Sequence, residues 1–404
     1  MEFYPLRSGL QWSVAVDQAS EPVLTAYDPL EYTPQPFAVP LEAHPVIAAL
    51  AESQSWEELW QHLAAAGVRN SPTHQRIVTD FVQQLDSVYA LQSPRFDQRR
   101  RAWEAEYRSY PIRTAALAGI CYPEAAPEIA ALLDSSLQSA PIVEVPAALP
   151  IAAVIPHIDL RVGISSYAAA YQVLQQLQPE LVVVLGTSHY GWHAPFIVTE
   201  KDFQTPLGTM PTARSLVRQF VEACPVGVTD TDLAHKPEHS LEFQVVFLQH
   251  LFGNGVELFP VLLTSFGDLI PQRRSPSTDS VLRYAIRTLR EIVASSGRRT
   301  LWIASADMAH VGRKFGDDAD AHLLLPEVEQ HDRALIAAMC RADAEGYFQL
   351  IAAVEDRYRI CGLSPVYTLL AALQPRYGVL ADYRQWYEPE TLSAVTFSSV
   401  LYYG

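Results

Sequence analysis

Leu181-Val182-Val183-Val184-Leu185-Gly186-Thr187-Ser188-His189 is an apolar run that stops at a glycine and opens into polar residues. A short β-branched run bounded in this way reads as a strand buried on both faces. The glycine permits a tight exit, after which Thr187, Ser188 and His189 project into whatever lies beyond the strand. A helix-like stretch from Ser165 to Leu177 precedes it, and the pattern recurs at Ile151 to Ile155, Val256 to Leu263 and Thr300 to Ala304. Strands alternating with helices imply an α/β fold with a mostly parallel central sheet flanked by helices. Ligands of such sheets bind beyond the carboxyl ends of the strands.

The rest of the α/β region fits this rhythm. A strand is expected at Pro195 to Val198, and helices at Pro127 to Leu137, Pro211 to Cys224, Leu241 to Leu251, Ser280 to Ser295, Pro326 to Ala342 and Pro365 to Ala372. Residues 378–383 and 393–401 read as an antiparallel edge pair. Ahead of this domain, residues 1–94 read as a small helical, winged-helix-like module. Ser55-Trp56-Glu57-Glu58 forms a capping box, Gly67 a stop, and Ser71-Pro72 the start of a third helix with a stripe at Ile77, Phe81 and Leu85. That helix carries Arg76 as its only lysine or arginine, so it is a poor phosphate binder, and a peptide-docking or dimerisation module is the better reading. Residues 95–111, mixed in charge and lacking an apolar face, read as a solvated linker helix before an α/β domain spanning 112–404.

Composition sets limits on function. The chain has 404 residues, 49% hydrophobic and 18% charged, and a net charge of −16. An acidic surface repels phosphate backbones and anionic membrane, so neither nucleic acid nor membrane is an expected partner. The start lacks a basic and then apolar leader, and no apolar stretch reaches about 18 residues, which suggests a cytoplasmic protein. Cys121, Cys224, Cys340 and Cys361 form no C-x-x-C pair, so neither a thiolate zinc site nor a disulfide framework is indicated. Cys361 differs from the others, because it sits in a turn feeding a helix, where a thiol can reach a cleft.

Four histidines follow or flank the strands. Pro156-His157-Ile158-Asp159 puts an imidazole just past one strand, with Asp159 near enough to orient it. His189 ends the Gly186-Thr187-Ser188-His189 exit, which also resembles a hydroxyl-lined phosphate loop. His239 and Glu242 lie three apart on one helix face and can address a common centre, or can serve as a cap with its hydrogen bond. Asp307 and His310 repeat that spacing after another strand, where a buried acid requires a partner. Each motif alone has a structural explanation. Together they describe a metal site.

The ordered stretches Arg113-Thr114-Ala115-Ala116-Leu117-Ala118-Gly119-Ile120-Cys121-Tyr122-Pro123, Pro156-His157, Gly186-Thr187-Ser188-His189, Glu238-His239-Ser240-Leu241-Glu242-Phe243-Gln244, Ser305-Ala306-Asp307-Met308-Ala309-His310 and Cys361-Gly362-Leu363-Ser364-Pro365 resemble the Memo family. Its bacterial members are called AmmeMemoRadiSam system protein B. The leading module is similar to a winged-helix, PqqD-like extension of some bacterial members. The resemblance implies a fold shared with LigB-type class III extradiol dioxygenases, which hold non-haem iron(II). It implies metal ligation by His157 and His189, with His239 lining the same pocket. It also implies that Ala309 stands where animal members have a cysteine ligand, which would disfavour copper and favour iron(II), with zinc as the alternative. Radical SAM and AMMECR-type proteins are the partners it implies, beside a small-molecule or peptide ligand, and a homo-oligomer stays open.

The resulting expectation is a metal-binding, dioxygenase-like protein. His157, His189 and His239 would hold the metal, while His239, Asp307, His310 and Glu242 would serve catalysis as acid, base or carboxylate donor. Two alternatives come from other classes. One is a non-catalytic protein binding a peptide or other ligand in the same cleft, and the other is a zinc hydrolase.

Overall fold

The computed structural model describes residues 2–17, 19–192, 194–229 and 231–404. The chain divides into two compact units, residues 1–109 and 110–404.

The first unit opens with an antiparallel three-stranded sheet of Gln11–Val16, Pro22–Tyr27 and Phe37–Pro40, which the sequence did not signal. Helices His44–Glu52, Trp56–Ala65 and Pro72–Ser87 follow, the last two capped by Ser55 and Ser71 as expected. The stripe on the third helix is rotated from its expected position. Val78, Val82 and Leu85 are buried, whereas Ile77 is 59% exposed. Helix Pro94–Ser109, expected as a solvated linker, belongs to this unit and buries Phe96 and Tyr107. Arg7, buried against Asp28 at 2.5 Å, is also held by the Thr33 hydroxyl and the Tyr89 carbonyl.

The second unit is built on a nine-stranded mixed sheet. Its middle is parallel, in the order Glu257–Leu263, Leu181–Thr187, Thr300–Ser305, Ala152–Ile155. Register brings the carboxyl ends level, with Thr187 opposite Leu263, and Ser305 opposite both Gly186 and Ile155. Antiparallel strands extend both sides, Phe196–Val198 beside Glu257–Leu263 and Ser393–Tyr403 beside Ala152–Ile155. Ser393–Tyr403 pairs antiparallel with Tyr377–Glu388, as expected, and also with His310–Gly312, so the second strand of the pair is interior to the sheet. Its continuous burial agrees with that position.

Alternation along the parallel strands divides the core into two layers. Val183, Leu185, Trp302 and Ala304 pack on one face with helices Arg214–Ala223, Ser280–Ser295, Ala321–Cys340, Ala344–Ala353 and Leu363–Leu373. Val182, Val184, Leu301 and Ile303 pack on the other with Ala126–Gln138, Leu160–Leu174 and His239–Phe252. The sheet is thus sandwiched between helices, which leaves its carboxyl rim as the place where polar groups gather.

Two close approaches fix that rim. A Cβ at Gly186 would stand 2.6 Å from Ser240 Oγ and 2.9 Å from Leu241 Cδ2, so only glycine lets the helix His239–Phe252 sit on the strand. Glu242, fully buried, pairs with Arg113 and accepts from the Ala116 and Leu117 amides at 2.9 Å and the Tyr122 hydroxyl at 2.5 Å. This pins the entering segment, residues 113–122, to the helix.

Gly186→Ala is expected to cost about 1–3 kcal/mol by overpacking, and Glu242→Ala about 3–5 kcal/mol by stranding the Arg113 charge. Guanidinium denaturation measures both. A loss below about 0.5 kcal/mol, the range of ordinary surface substitutions, would contradict the assigned packing.

Candidate metal centre

His157, His189 and His239 arrive from three different elements. His157 leaves the Ala152–Ile155 strand, His189 leaves Leu181–Thr187, and His239 opens the helix His239–Phe252. Their ring centroids lie 4.6–5.2 Å apart, and one ligand nitrogen from each falls within 4.8 Å of the other two. His157 is 2% exposed, and the other two are partly exposed.

Each ring is held by its Nδ1 edge. His157 Nδ1 lies 3.0 Å from the Ser305 carbonyl, to which it donates as the Nδ1–H tautomer. Glu238 orients the other two, its Oε1 standing 2.9 Å from His189 Nδ1 and 3.3 Å from His239 Nδ1. The same carboxylate accepts from the His189 amide at 2.8 Å and caps the helix through the Ser240 amide at 3.0 Å. With an oxygen beside each Nδ1, the Nε2 atoms are the ones to turn toward a shared ion, the usual arrangement of metal-ligating histidines, and that of His157 is met in this structure by the Cys361 thiol.

The electrostatics favour the neutral, donor form at two of the three rings. Burial, and then His189, pull the His157 pKa down to about 3, and the same two causes do so for His239. Both rings are therefore neutral and keep their lone pairs. For His189 burial opposes the charged form, but the Glu238 charge and hydrogen bond outweigh it and raise the pKa. Burial pushes Glu238 up too, yet the histidines and amides around it leave it well below the ordinary carboxylate range.

Asp307 adjoins the histidines. Its Oδ1 accepts from the His157 amide at 2.9 Å and the Ile158 amide at 3.1 Å, and Oδ2 lies 3.7 Å from His157 Nε2. Burial raises its pKa to about 6 against the opposing pull of His310. His310 stands behind, its Nδ1 3.1 Å from the Met308 and Arg359 carbonyls. Cys361 Sγ lies 3.3 Å from His157 Nε2, where burial, and then Asp307, raise its pKa.

Several expectations need correction. Glu242 faces Arg113 and not the histidines, so its three-residue spacing from His239 marks a common helix but not a common centre. Asp159 caps the helix Leu160–Leu174 and pairs with Arg161, leaving the orientation of His157 to Ser305 and Asp307. The hydroxyls of the Gly186–His189 exit are used internally, Thr187 on the Cys361 carbonyl and Ser188 on the Gly191 carbonyl, so no phosphate loop is formed. Ala309 is a buried core residue whose main chain pairs with Thr396. A sulfur is nevertheless present, because Cys361 brings one from another element. Glu238 is the residue that sequence reasoning overlooked, although an acid directly ahead of a helix start was its visible sign.

The donors fit a single ion. Nitrogens set tetrahedrally about one ion at ~2.1 Å stand ~3.4 Å apart, so donors that lie within 4.8 Å of one another share an ion after side-chain closure of about an ångström.

The description of the family model that matches residues 113–402 is Memo-like protein. A MEMO1 family protein of Aquifex aeolicus is 30% identical over 329 residues, which cover 81% of this chain and 82% of its own. MEMO1 family protein TTHA0924 of Thermus thermophilus is 26% identical over 318 residues, covering 78% and 90% respectively. The matched region contains the whole histidine cluster and the sheet that carries it, and the chain belongs to the Memo-like family.

Proposed function

We propose that the chain is a mononuclear metal-binding protein whose ion is held by Nε2 of His157, His189 and His239, with iron(II) as the resident ion and zinc as the alternative. The observation that supports this most is the convergence of three imidazoles from separate elements, two of them turned by an Nδ1 hydrogen bond and the third beside the same Glu238 carboxylate. Bound there, such an ion supplies Lewis acidity and open coordination positions for an enzyme-like, dioxygenase-type reaction. Around it, Glu238 orients two rings, Asp307 holds the His157 backbone and presents a carboxylate oxygen beside its ring, and His310 backs Asp307. Cys361 places a sulfur in the same cleft, so the ground for discounting copper, the alanine at 309, no longer holds. Radical SAM and AMMECR-type partners belong to this reading on the family resemblance alone. Among the described residues no helix is long and apolar enough to cross a membrane.

Protein purified without oxygen is expected to carry near-stoichiometric iron, lost in His157→Ala, His189→Ala and His239→Ala. Absence of metal, or equal metal in the three variants, would refute the site, whereas stoichiometric zinc or copper would refute only the choice of ion. Glu238→Gln is expected to weaken metal binding about 10–100-fold in chelator competition, as removal of a ring-orienting partner does elsewhere. Unchanged affinity would mean that Glu238 only caps the helix.

A further inference from the structure

In this acidic chain, with a net charge of −16, many surface arginines have carboxylate partners. Arg161, Arg214, Arg218, Arg357 and Arg359 each have a carboxylate oxygen within 3.1 Å. The exposed flank of helix Ser280–Ser295 differs. Arg283, Arg287 and Arg290 follow one another at spacings of four and three, which places them on one face. Arg283 donates to the Ser277 carbonyl at the long distance of 3.5 Å. Arg287 stacks on Tyr284 at 5.4 Å and reaches Glu291 only at 3.8 Å. Arg290 has no ion-pair partner among the described residues.

The three side chains share a cavity of about 240 Å³ with Tyr367, Ala371 and Gln374 of the neighbouring helix Leu363–Leu373 and its C-cap. No carboxylate lines it among the described residues, and Ile286 and Ala372 add apolar surface. The Glu345 carboxylate accepts from the hydroxyls of Ser275 and of Tyr367, which lines the cavity, but is not itself among the lining residues. Seven helical residues rise ~10 Å, wider than one phosphate. Guanidinium forks on that span suit two linked phosphates, each met by charge-assisted hydrogen bonds.

We propose that this cavity is a binding site for the diphosphate group of a small molecule whose apolar part rests on Ile286, Ala371 and Ala372. The site is separate from the histidine cluster and does not depend on its metal.

Calorimetric titration of the full, metal-free chain with inorganic pyrophosphate at low ionic strength tests it. Saturable one-to-one binding is expected, weakened about tenfold or more in the double variant Arg287→Gln/Arg290→Gln and unchanged in His189→Ala. An unaltered thermal midpoint of the double variant shows that its fold is intact. The proposal fails if the wild type shows no saturable binding or if the double variant binds as well as the wild type. It also fails if binding is lost in His189→Ala, which would locate pyrophosphate at the histidines.

Discussion

The Glu238 carboxylate is the constraint on which the arrangement turns. It is 1% exposed, and a charge so buried is tolerated only where hydrogen bonds replace the water it has lost. It finds them in the His189 amide and ring, the Ser240 amide and the neighbourhood of the His239 ring. One side chain thereby sets the start of a helix, the path of a strand exit and the tilt of two imidazoles.

The remaining positioning comes from the helix His239–Phe252, which is bonded to three strand ends in turn. Ser240 Oγ donates to the Thr187 carbonyl at 2.8 Å, and Ser305 Oγ donates to the Ser240 carbonyl at 2.5 Å. Gln244, fully buried, donates to Ser305 Oγ and the Pro156 carbonyl, both at 2.8 Å. Buried polar networks of this kind are stable only when every member is satisfied, and here they fix the relative height of the elements carrying His157, His189 and His239. The apolar layers on both faces hold the sheet together, while this polar seam decides where its rim chemistry sits.

How legible this was in the sequence varied with the range of the interaction. Val182 to Leu185 and Ile303 to Ala304 show themselves as strands because burial on both faces leaves no polar positions. His157 and His189 followed from such strands, since a residue just past a carboxyl end has few places to point. Cys361 was marked by its turn, and its thiol does reach His157. Glu242 misled because helical spacing fixes a face but not what the face meets, and Arg113, 129 positions earlier, meets it here. The first sheet, Gln11–Val16 to Phe37–Pro40, escaped notice because few of its residues are buried and apolar ones such as Val14 and Val16 are exposed, which weakens the pattern. Ser393–Tyr403 showed as a strand but not as an interior one, because pairing partners on both sides are a property of the whole sheet.

The central claim is that three imidazoles bind one ion together. X-ray absorption spectroscopy of the metal-loaded protein addresses it directly. A shell containing three imidazole nitrogens at ~2.0–2.2 Å from the metal is expected. A metal surrounded only by oxygen, or ligated by fewer than three imidazoles, would contradict it.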